Sequence, residues 1–215
     1  MQGINERRFQ RAISLRNDPA YIRARVAFRF LLLFGIGILL GGELFRSEYI
    51  DRSLLDASFI EKHFESIFVG CETFFDKMLT SLVLSKAEIS YLILIFISGF
   101  TYFCFIASGL MILVRGFLIG FSTSYLVYLY RLYFEAVERY EVVGFVAYQI
   151  VSSIILICLS VSAYIFSFDF RDKRNNFALL RSPIIFGYVF AFIIMLGGLL
   201  MNSFLYCLLL EFLKA

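Results

Sequence analysis

Forty-two residues in the middle of the chain, 89–130, contain one charged side chain, Arg115. A single α-helix of that length would measure about 63 Å, twice the ~30 Å thickness of the hydrocarbon core of a bilayer. The stretch must therefore fold back on itself. Arg115 followed by Gly116 marks the predicted turn, and Ser108 with Gly109 is the alternative bend. A turn before Arg115 places its guanidinium at a membrane interface, where it costs far less than at the bilayer centre.

The composition agrees with an integral membrane protein. The chain of 215 residues is 60% hydrophobic, with a mean hydropathy of +0.82, whereas soluble domains are about 45–50% apolar. The sequence therefore predicts an all-α, polytopic helical bundle, with a basic tail at 1–26 and one transmembrane domain at 27–215. The charged residues divide the apolar runs into five predicted spanning helices, at 27–45, 89–113, 116–134, 142–168 and 182–210.

Basic residues are distributed unevenly along the chain. The tail up to Arg29 has seven basic and two acidic residues, and segment 169–181 has four basic and two acidic residues. Cytoplasmic loops carry an excess of Lys and Arg, and five crossings put both segments and Arg115 on that side. The predicted topology has the N-terminus inside and the C-terminus outside. Anionic lipid is the expected partner of the basic tail, rather than nucleic acid.

Segment 46–88 is the one large stretch predicted to lie outside the cytoplasm. Its apolar residues recur at helical steps of three, four and one, which predicts one or two amphipathic helices on the membrane surface or against the bundle. Phe59, Phe64 and Phe68 are candidate partner-binding residues, because aromatic anchors dominate binding surfaces. The alternative is that these phenylalanines pack on the bundle itself or lie in lipid.

Glycines spaced four residues apart occur in two of the predicted helices. Gly37 and Gly41 lie in the first, and Gly116 and Gly120 in the third. Small residues on one face let helix backbones approach closely in lipid. These pairs predict close helix packing, either within one bundle or between two copies of the chain.

The remaining polar residues do not form a recognisable catalytic or metal site. HExxH, an intramembrane Ser/His pair and paired intramembrane aspartates are all missing from the sequence. We therefore predict a protein that is not an enzyme and has no metal or cofactor. Gln149 and Asn202 are the predicted intramembrane polar residues, and each serves in interhelical hydrogen bonding or in a substrate path.

The block from Phe74 to Val127 resembles the stage II sporulation protein M family. The residues that carry the resemblance are "FFDKMLTSLVL", Gly99 in "FISGF", and "RGFLIGF" beginning at Arg115. Gln149 stands where members often have a polar residue at the start of helix four. A proline commonly precedes that residue in the family, whereas Tyr148 does here, and 131–141 is longer than usual. The chain therefore looks like a divergent branch.

The resemblance implies a non-enzymatic scaffold in the cytoplasmic membrane of an endospore-forming bacterium. Such a protein would anchor two peptidoglycan hydrolases that remodel the septal wall during engulfment in sporulation. The alternative is a small permease or an accessory subunit of an exporter. That alternative calls for intramembrane charge or helices broken near the midplane.

Overall fold

A computed structural model describes residues 19–46, 80–132, 139–173 and 183–214, and the regular structure in these ranges is helical. Four of the helices have the length and hydropathy to cross a membrane, which confirms the prediction of a helical membrane protein. The longer helices in these ranges are α1 (Pro19–Arg46), α2 (Lys86–Ser98), α3 (Cys104–Leu132), α4 (Arg139–Lys173) and α5 (Pro183–Lys214). The four candidate spans lie in α1, α3, α4 and α5.

The spanning helices are apolar on nearly all of their faces, as helices in hydrocarbon must be. In the most apolar window of α5 only 11% of the residues are buried inside the bundle, and in α1 only 22%. The same share is 44% in both α3 and α4, which are therefore the central helices. Each backbone polar group in lipid needs a partner within the protein, and helices meet that need internally.

The chain turns at residues 99–103, not at Arg115. α2 ends at Ser98, and α3 begins at Cys104 and continues through Arg115 without a break. The predicted turn before Arg115 is therefore wrong, and so is the alternative bend at Ser108 and Gly109. Predicted helices 89–113 and 116–134 were divided at the wrong place. The reason is that Arg115 has an acidic partner inside the bundle, described below, and needs no interface to stabilise its charge.

Aromatic side chains and hydrogen bonds enclose the observed turn. The Tyr188 hydroxyl of α5 donates to the Phe96 carbonyl at 2.9 Å, and the Ser167 hydroxyl of α4 donates to the Thr101 carbonyl at 2.9 Å. A Cβ atom on Gly99 would come closer than 3.0 Å to the Tyr188 ring. The turn is thus packed against two other helices, and a side chain at position 99 would have to displace the Tyr188 ring.

The helical segment that contains α2 extends beyond the 13 residues of α2 itself. Residues 80–84 are also helical, and backbone bonds from Ser85 N to Ser81 O and from Ile89 N to Ser85 O join the two pieces. Residues 80–98 together measure about 28 Å at 1.5 Å per residue, close to the thickness of the hydrocarbon core. Ser81, Ser85 and Glu88 are buried, so residues 80–88 pack with the second helix, which was predicted to begin at residue 89.

α1 and α3 run parallel and pack backbone to backbone. Added Cβ atoms on Gly37 and Gly41 would meet the Leu113 and Phe117 carbonyl oxygens at less than 3.0 Å. Residue numbers thus rise together along both helices. Helices α1 to α5 also share a core of fully buried side chains. These include Phe30, Leu92, Ile95, Ile112, Leu156, Leu159 and Leu199.

The other three predicted spans fall within observed helices or nearly so. Helix α1 contains 27–45 and starts eight residues earlier, so its first turns include the end of the predicted tail. Helix α4 contains 142–168, and α5 covers all but the first residue of 182–210. Arg23, Arg25 and Arg29 lie on α1 and are exposed.

Candidate functional site

Three polar side chains from three helices meet deep in the bundle. They are Glu88 of α2, Arg115 of α3 and Gln149 of α4, and their exposed fractions are 3%, 5% and 8%. Arg115 lies eleven residues after Cys104, the start of α3, or about 17 Å along the helix axis. That distance is about half of the ~30 Å hydrocarbon thickness, and Arg115 lies near the middle of the candidate span Cys104–Tyr128.

Arg115 is the centre of the cluster. Its Nη2 atom donates to Glu88 Oε1 at 2.7 Å and also to Gln149 Oε1. The carboxylate neutralises the guanidinium, and the amide oxygen adds a second acceptor. An unpaired charge at the bilayer centre would cost several kcal/mol, so this pairing explains why Arg115 is tolerated within α3.

The pairing is incomplete. Glu88 Oε2 and Arg115 Nε are buried and have no hydrogen-bond partner among the described residues. A buried polar group without a partner costs about 1–3 kcal/mol, and more when it is charged. Native proteins rarely leave such groups unpaired without a functional reason or a bound molecule. Both atoms are enclosed by protein.

A cavity of about 890 Å³ lies beside these three side chains. Segment 80–90, residues 115–122 of α3 and residues 145–149 of α4 line it, and its lining includes Glu88, Arg115 and Gln149. Val83 and Leu118 on its walls are 70% and 42% exposed, so the cavity opens at the protein surface. Its volume is in the range of ligand pockets, about 300–1,000 Å³.

The glycines predicted to pack helices fix the position of Arg115. Gly116, the next residue, faces the Phe34 carbonyl of α1, and Gly120 faces the Ile38 carbonyl. A Cβ atom at either glycine would come closer than 3.0 Å to these backbone oxygens. With Gly37 and Gly41 contacting α3 in the same way, the structure brings all four glycines into one seam within a single chain.

The two predicted intramembrane amides have different places. Gln149 belongs to the cluster at the cavity. Asn202 of α5 lies elsewhere, where its Nδ2 atom donates to the Tyr148 carbonyl at 3.1 Å and to the Ser152 hydroxyl at 3.0 Å. Both partners are on α4, so Asn202 links two helices. Its hydrogen bonds account for it without a ligand.

Glu88 is the functional candidate that the sequence reasoning missed. From the sequence it is assigned to the outer segment, because it directly precedes the run 89–130, whose one charged residue is Arg115. A signal was nevertheless present: Glu88 lies ten residues before the end of α2 at Ser98, and Arg115 lies eleven after the start of α3 at Cys104. Two helices joined by a short turn bring such positions to the same depth. The observed turn would have been needed to recognise this symmetry.

Phe59, Phe64 and Phe68, the predicted partner-binding residues, lie outside the described residues, as does most of the basic tail. The structure therefore does not test these predictions.

No protein-family model matches this chain, and neither a curated protein nor a solved structure matches it significantly.

Proposed function

We propose that this chain is a non-enzymatic membrane scaffold that holds a partner protein through the cavity beside Glu88 and Arg115. The observation that carries the proposal is the buried charge pair of Glu88 and Arg115 in the lining of an open cavity. Ionisable residues at membrane depth mark functional sites by default. In lipid, polar side chains also bond helices of different subunits to each other.

The rigidity of the site favours a scaffold over a moving part. Four glycine contacts lock α3 against α1 on the face opposite the cavity. α1, α3, α4 and α5 each run unbroken through their apolar windows. The break at 99–103 lies at the ends of α2 and α3, away from mid-depth. A receptor of fixed shape suits a scaffold, because preorganisation lowers the cost of binding.

The partner class comes from the resemblance to the stage II sporulation protein M family. By that resemblance, the partners are peptidoglycan hydrolases, and the process is septal wall remodelling in a bacterial membrane. Segment 46–88, with Phe59, Phe64 and Phe68, is the second proposed contact for such a partner. Replacing Phe59 and Phe64 by Ser should release the partner from an inserted protein. Co-purification at native stoichiometry would contradict that second contact.

The proposed topology has five crossings, with the N-terminus in the cytoplasm and the C-terminus outside. The parallel direction of α1 and α3 supports it, because the chain must return across the membrane between them. Residues 80–98 have about the length for that return. Cysteine labelling at position 175, in a background without other cysteines, checks the orientation. Reaction with an impermeant reagent outside intact cells would contradict it.

The scaffold proposal is tested by crosslinking from the cavity wall. A photoreactive amino acid replaces Val83, which is 70% exposed on the wall, and, as a control, Phe186 of α5, which is 75% exposed and away from the cavity. Irradiated cells should give one defined protein adduct from position 83 but not from position 186, at a stoichiometry near one. Adducts with lipid alone, or the same adducts from both positions, would contradict the scaffold.

Transport is the second candidate function, and the buried charge pair beside a cavity is the observation that favours it. A transporter must expose its site to each side of the membrane in turn. Leu118→Cys places a thiol on the cavity wall. The scaffold proposal expects this thiol to react with an impermeant reagent from one side only. Reaction from both sides, in separate inside-out and right-side-out vesicles, would favour transport.

A further inference from the structure

The cavity lining contains a third charged side chain, Lys86, besides Glu88 and Arg115. Lys86 is the first residue of α2 and is exposed. Glu88 and Arg115 neutralise each other at 2.7 Å, whereas the Lys86 ammonium has no ion pair or hydrogen bond with any other residue that the structure describes. The charged residues of the lining therefore leave one positive charge uncompensated.

The level of Lys86 along the bundle limits what can neutralise it. Lys86 lies two residues before Glu88, or about 3 Å along the helix axis. Glu88 pairs with Arg115, which is near the middle of the candidate span Cys104–Tyr128. Lipid phosphates lie outside the hydrocarbon core, about 15 Å from its middle, and the four-carbon stem of a lysine covers only part of that distance. A side chain on a transmembrane helix can lie at the level of Lys86 itself.

Lys86 belongs to an exposed stripe of helical residues that faces the cavity. Val83, Ala87 and Ser90 are also exposed, and the four residues recur at steps of three and four. The stripe is about 11 Å long, and residues 115–122 of α3 line the same cavity for about 10 Å. The open side of the cavity therefore matches about two turns of another helix.

A carboxylate complements this lining. It carries one negative charge and accepts hydrogen bonds, and the lysine ammonium can only donate them. Ionisable residues within membranes commonly pair with one another. The described helices of a second copy of this chain do not supply the carboxylate at the right level, because their acidic residues other than Glu88 lie within four residues of a helix end. They are Glu43, Glu141, Asp169, Asp172 and Glu211.

We infer that the cavity receives a transmembrane helix of a different protein, and that an Asp or Glu side chain of that helix forms an ion pair with Lys86. The inference rests on the proposed scaffold function and names the chemistry of the partner. The helix is apolar on either side of the carboxylate, because it contacts Val83, Leu118 and lipid. An isolated carboxylate in a membrane is unfavourable, so the ion pair selects this helix over purely apolar ones.

The test uses the full chain in phosphatidylcholine nanodiscs and synthetic Leu/Ala transmembrane peptides as probes. The peptides differ at one central position, which is Asp, Asn, Leu or Lys, and fluorescence energy transfer reports binding. The Asp peptide should bind about tenfold more tightly than the Asn peptide, which has nearly the same shape and no charge. The Lys peptide should bind more weakly than the Leu peptide, because its charge repels Lys86.

Two variants of Lys86 test the ion pair from the other side. Lys86→Met keeps the length of the side chain and removes its charge, so the Asp and Asn peptides should bind equally. Lys86→Glu should reverse the order and favour the Lys peptide over the Asp peptide. Arg29→Met is the matched control, because Arg29 is an exposed basic residue of α1 outside the cavity lining. It should keep the tenfold preference for Asp. Should a Lys86 variant fail to fold, the four peptides on the unaltered chain still decide the matter.

An anionic lipid is the competing occupant, and the same experiment identifies it. Nanodiscs that also contain phosphatidylglycerol should still show the preference for the Asp peptide, because the lipid phosphate lies too far from Lys86. Loss of the preference in these discs, together with its retention in phosphatidylcholine alone, would assign the cavity to lipid and overturn the inference.

Failure of this inference and failure of the scaffold proposal give different results. Equal binding of the Asp and Asn peptides to the unaltered chain, or an unchanged Asp preference in Lys86→Glu, overturns the ion pair. If position 83 still gives a protein adduct in cells, the scaffold proposal stands without it. An Asp preference that depends on Lys86, without a protein adduct in cells, supports carboxylate recognition and contradicts the scaffold.

Discussion

Adjacent residues of α3 take part in two contrasting interfaces. Gly116 faces α1, where backbone lies against backbone and a single added carbon has no room. Arg115 faces α2 and α4, where a buried charge pair lies in the lining of a cavity of about 890 Å³. The first interface is closed, and the second is open.

The difference shows how a membrane protein can separate stability from binding. Lipid tails are as apolar as leucine, so helices associate through close packing and hydrogen bonds rather than through the hydrophobic effect. The glycine seam uses close packing and leaves no surface for another molecule. The charged cluster lines an open cavity, and α3 is held in place by the glycine contacts with α1. Binding is therefore expected at the second interface.

Breaking the charge pair from one side should have the largest effect. Arg115→Met leaves the Glu88 carboxylate buried without its partner, and Glu88→Leu does the same to the guanidinium. Loss of one member of a buried pair destabilises by about 3–5 kcal/mol. We expect a large fall in folded yield and in the midpoint of thermal unfolding in detergent, measured by size-exclusion chromatography of heated samples.

The triple variant Glu88→Leu, Arg115→Met and Gln149→Leu is the matched control for that prediction. Replacing a complete buried charged set by apolar residues is often neutral or stabilising. It should therefore melt close to the unaltered chain, while both single variants melt far below it. Single variants as stable as the triple variant would show that the pair is not buried in lipid.

Overpacking the glycine seam should have an intermediate effect. Gly41→Leu and Gly120→Leu each add a side chain where the backbone of the other helix already blocks a Cβ atom. Overpacking costs about 1–3 kcal/mol, and thermal unfolding in detergent measures it. Gly35→Leu is the control on the same helix as Gly41, because nothing lies within 4 Å of a Cβ atom there. Equal melting of all three variants would contradict the seam.

Gly109→Ala gives a finer comparison along α3. A Cβ atom at Gly109 would lie 3.2 Å from Leu33 Cδ1, the end of a flexible side chain that can shift. At Gly120 the obstacle is backbone, which cannot shift without separating the helices. Gly109→Ala should therefore lower the unfolding midpoint less than Gly120→Ala. The reverse order would show that α1 and α3 approach most closely at another level.

The smallest effect is expected at Asn202. Asn202→Leu removes two hydrogen bonds between α4 and α5 and leaves no charge unpaired. Interhelical hydrogen bonds in membranes contribute about 0.6 kcal/mol on average, so the melting point should fall only slightly. Gln149→Leu should cost more, because Arg115 loses an acceptor. Equal effects of the two changes would mean that Gln149 is not part of the charged cluster.

Much of the fold follows from local pattern. Runs of apolar residues predict membrane spans because each residue adds its own free energy of transfer from water into lipid, whatever its neighbours are. Predicted helices 27–45 and 142–168 accordingly lie within α1 and α4. Glycines four residues apart predict a smooth helix face, and the structure shows that the partner of each face is the other helix of the same chain.

The site could not be derived in the same way. From local pattern alone, Arg115 is expected at a membrane interface, where its charge costs least free energy. Glu88 is expected to be the last residue of a polar segment. Each interpretation is correct for an isolated residue. Both fail because the two side chains neutralise each other across 27 positions of sequence. That contact exists only once the turn at 99–103 has brought α2 alongside α3.

Hydropathy and spacing are properties of neighbouring residues, so the sequence alone specifies a helical membrane protein and its small-residue faces. The free energy of a charge in a membrane depends instead on what lies within a few ångströms of it. Only the packed helices decide whether Arg115 is solvated or paired, and whether the charge pair lines a cavity. The candidate site is therefore a product of tertiary structure.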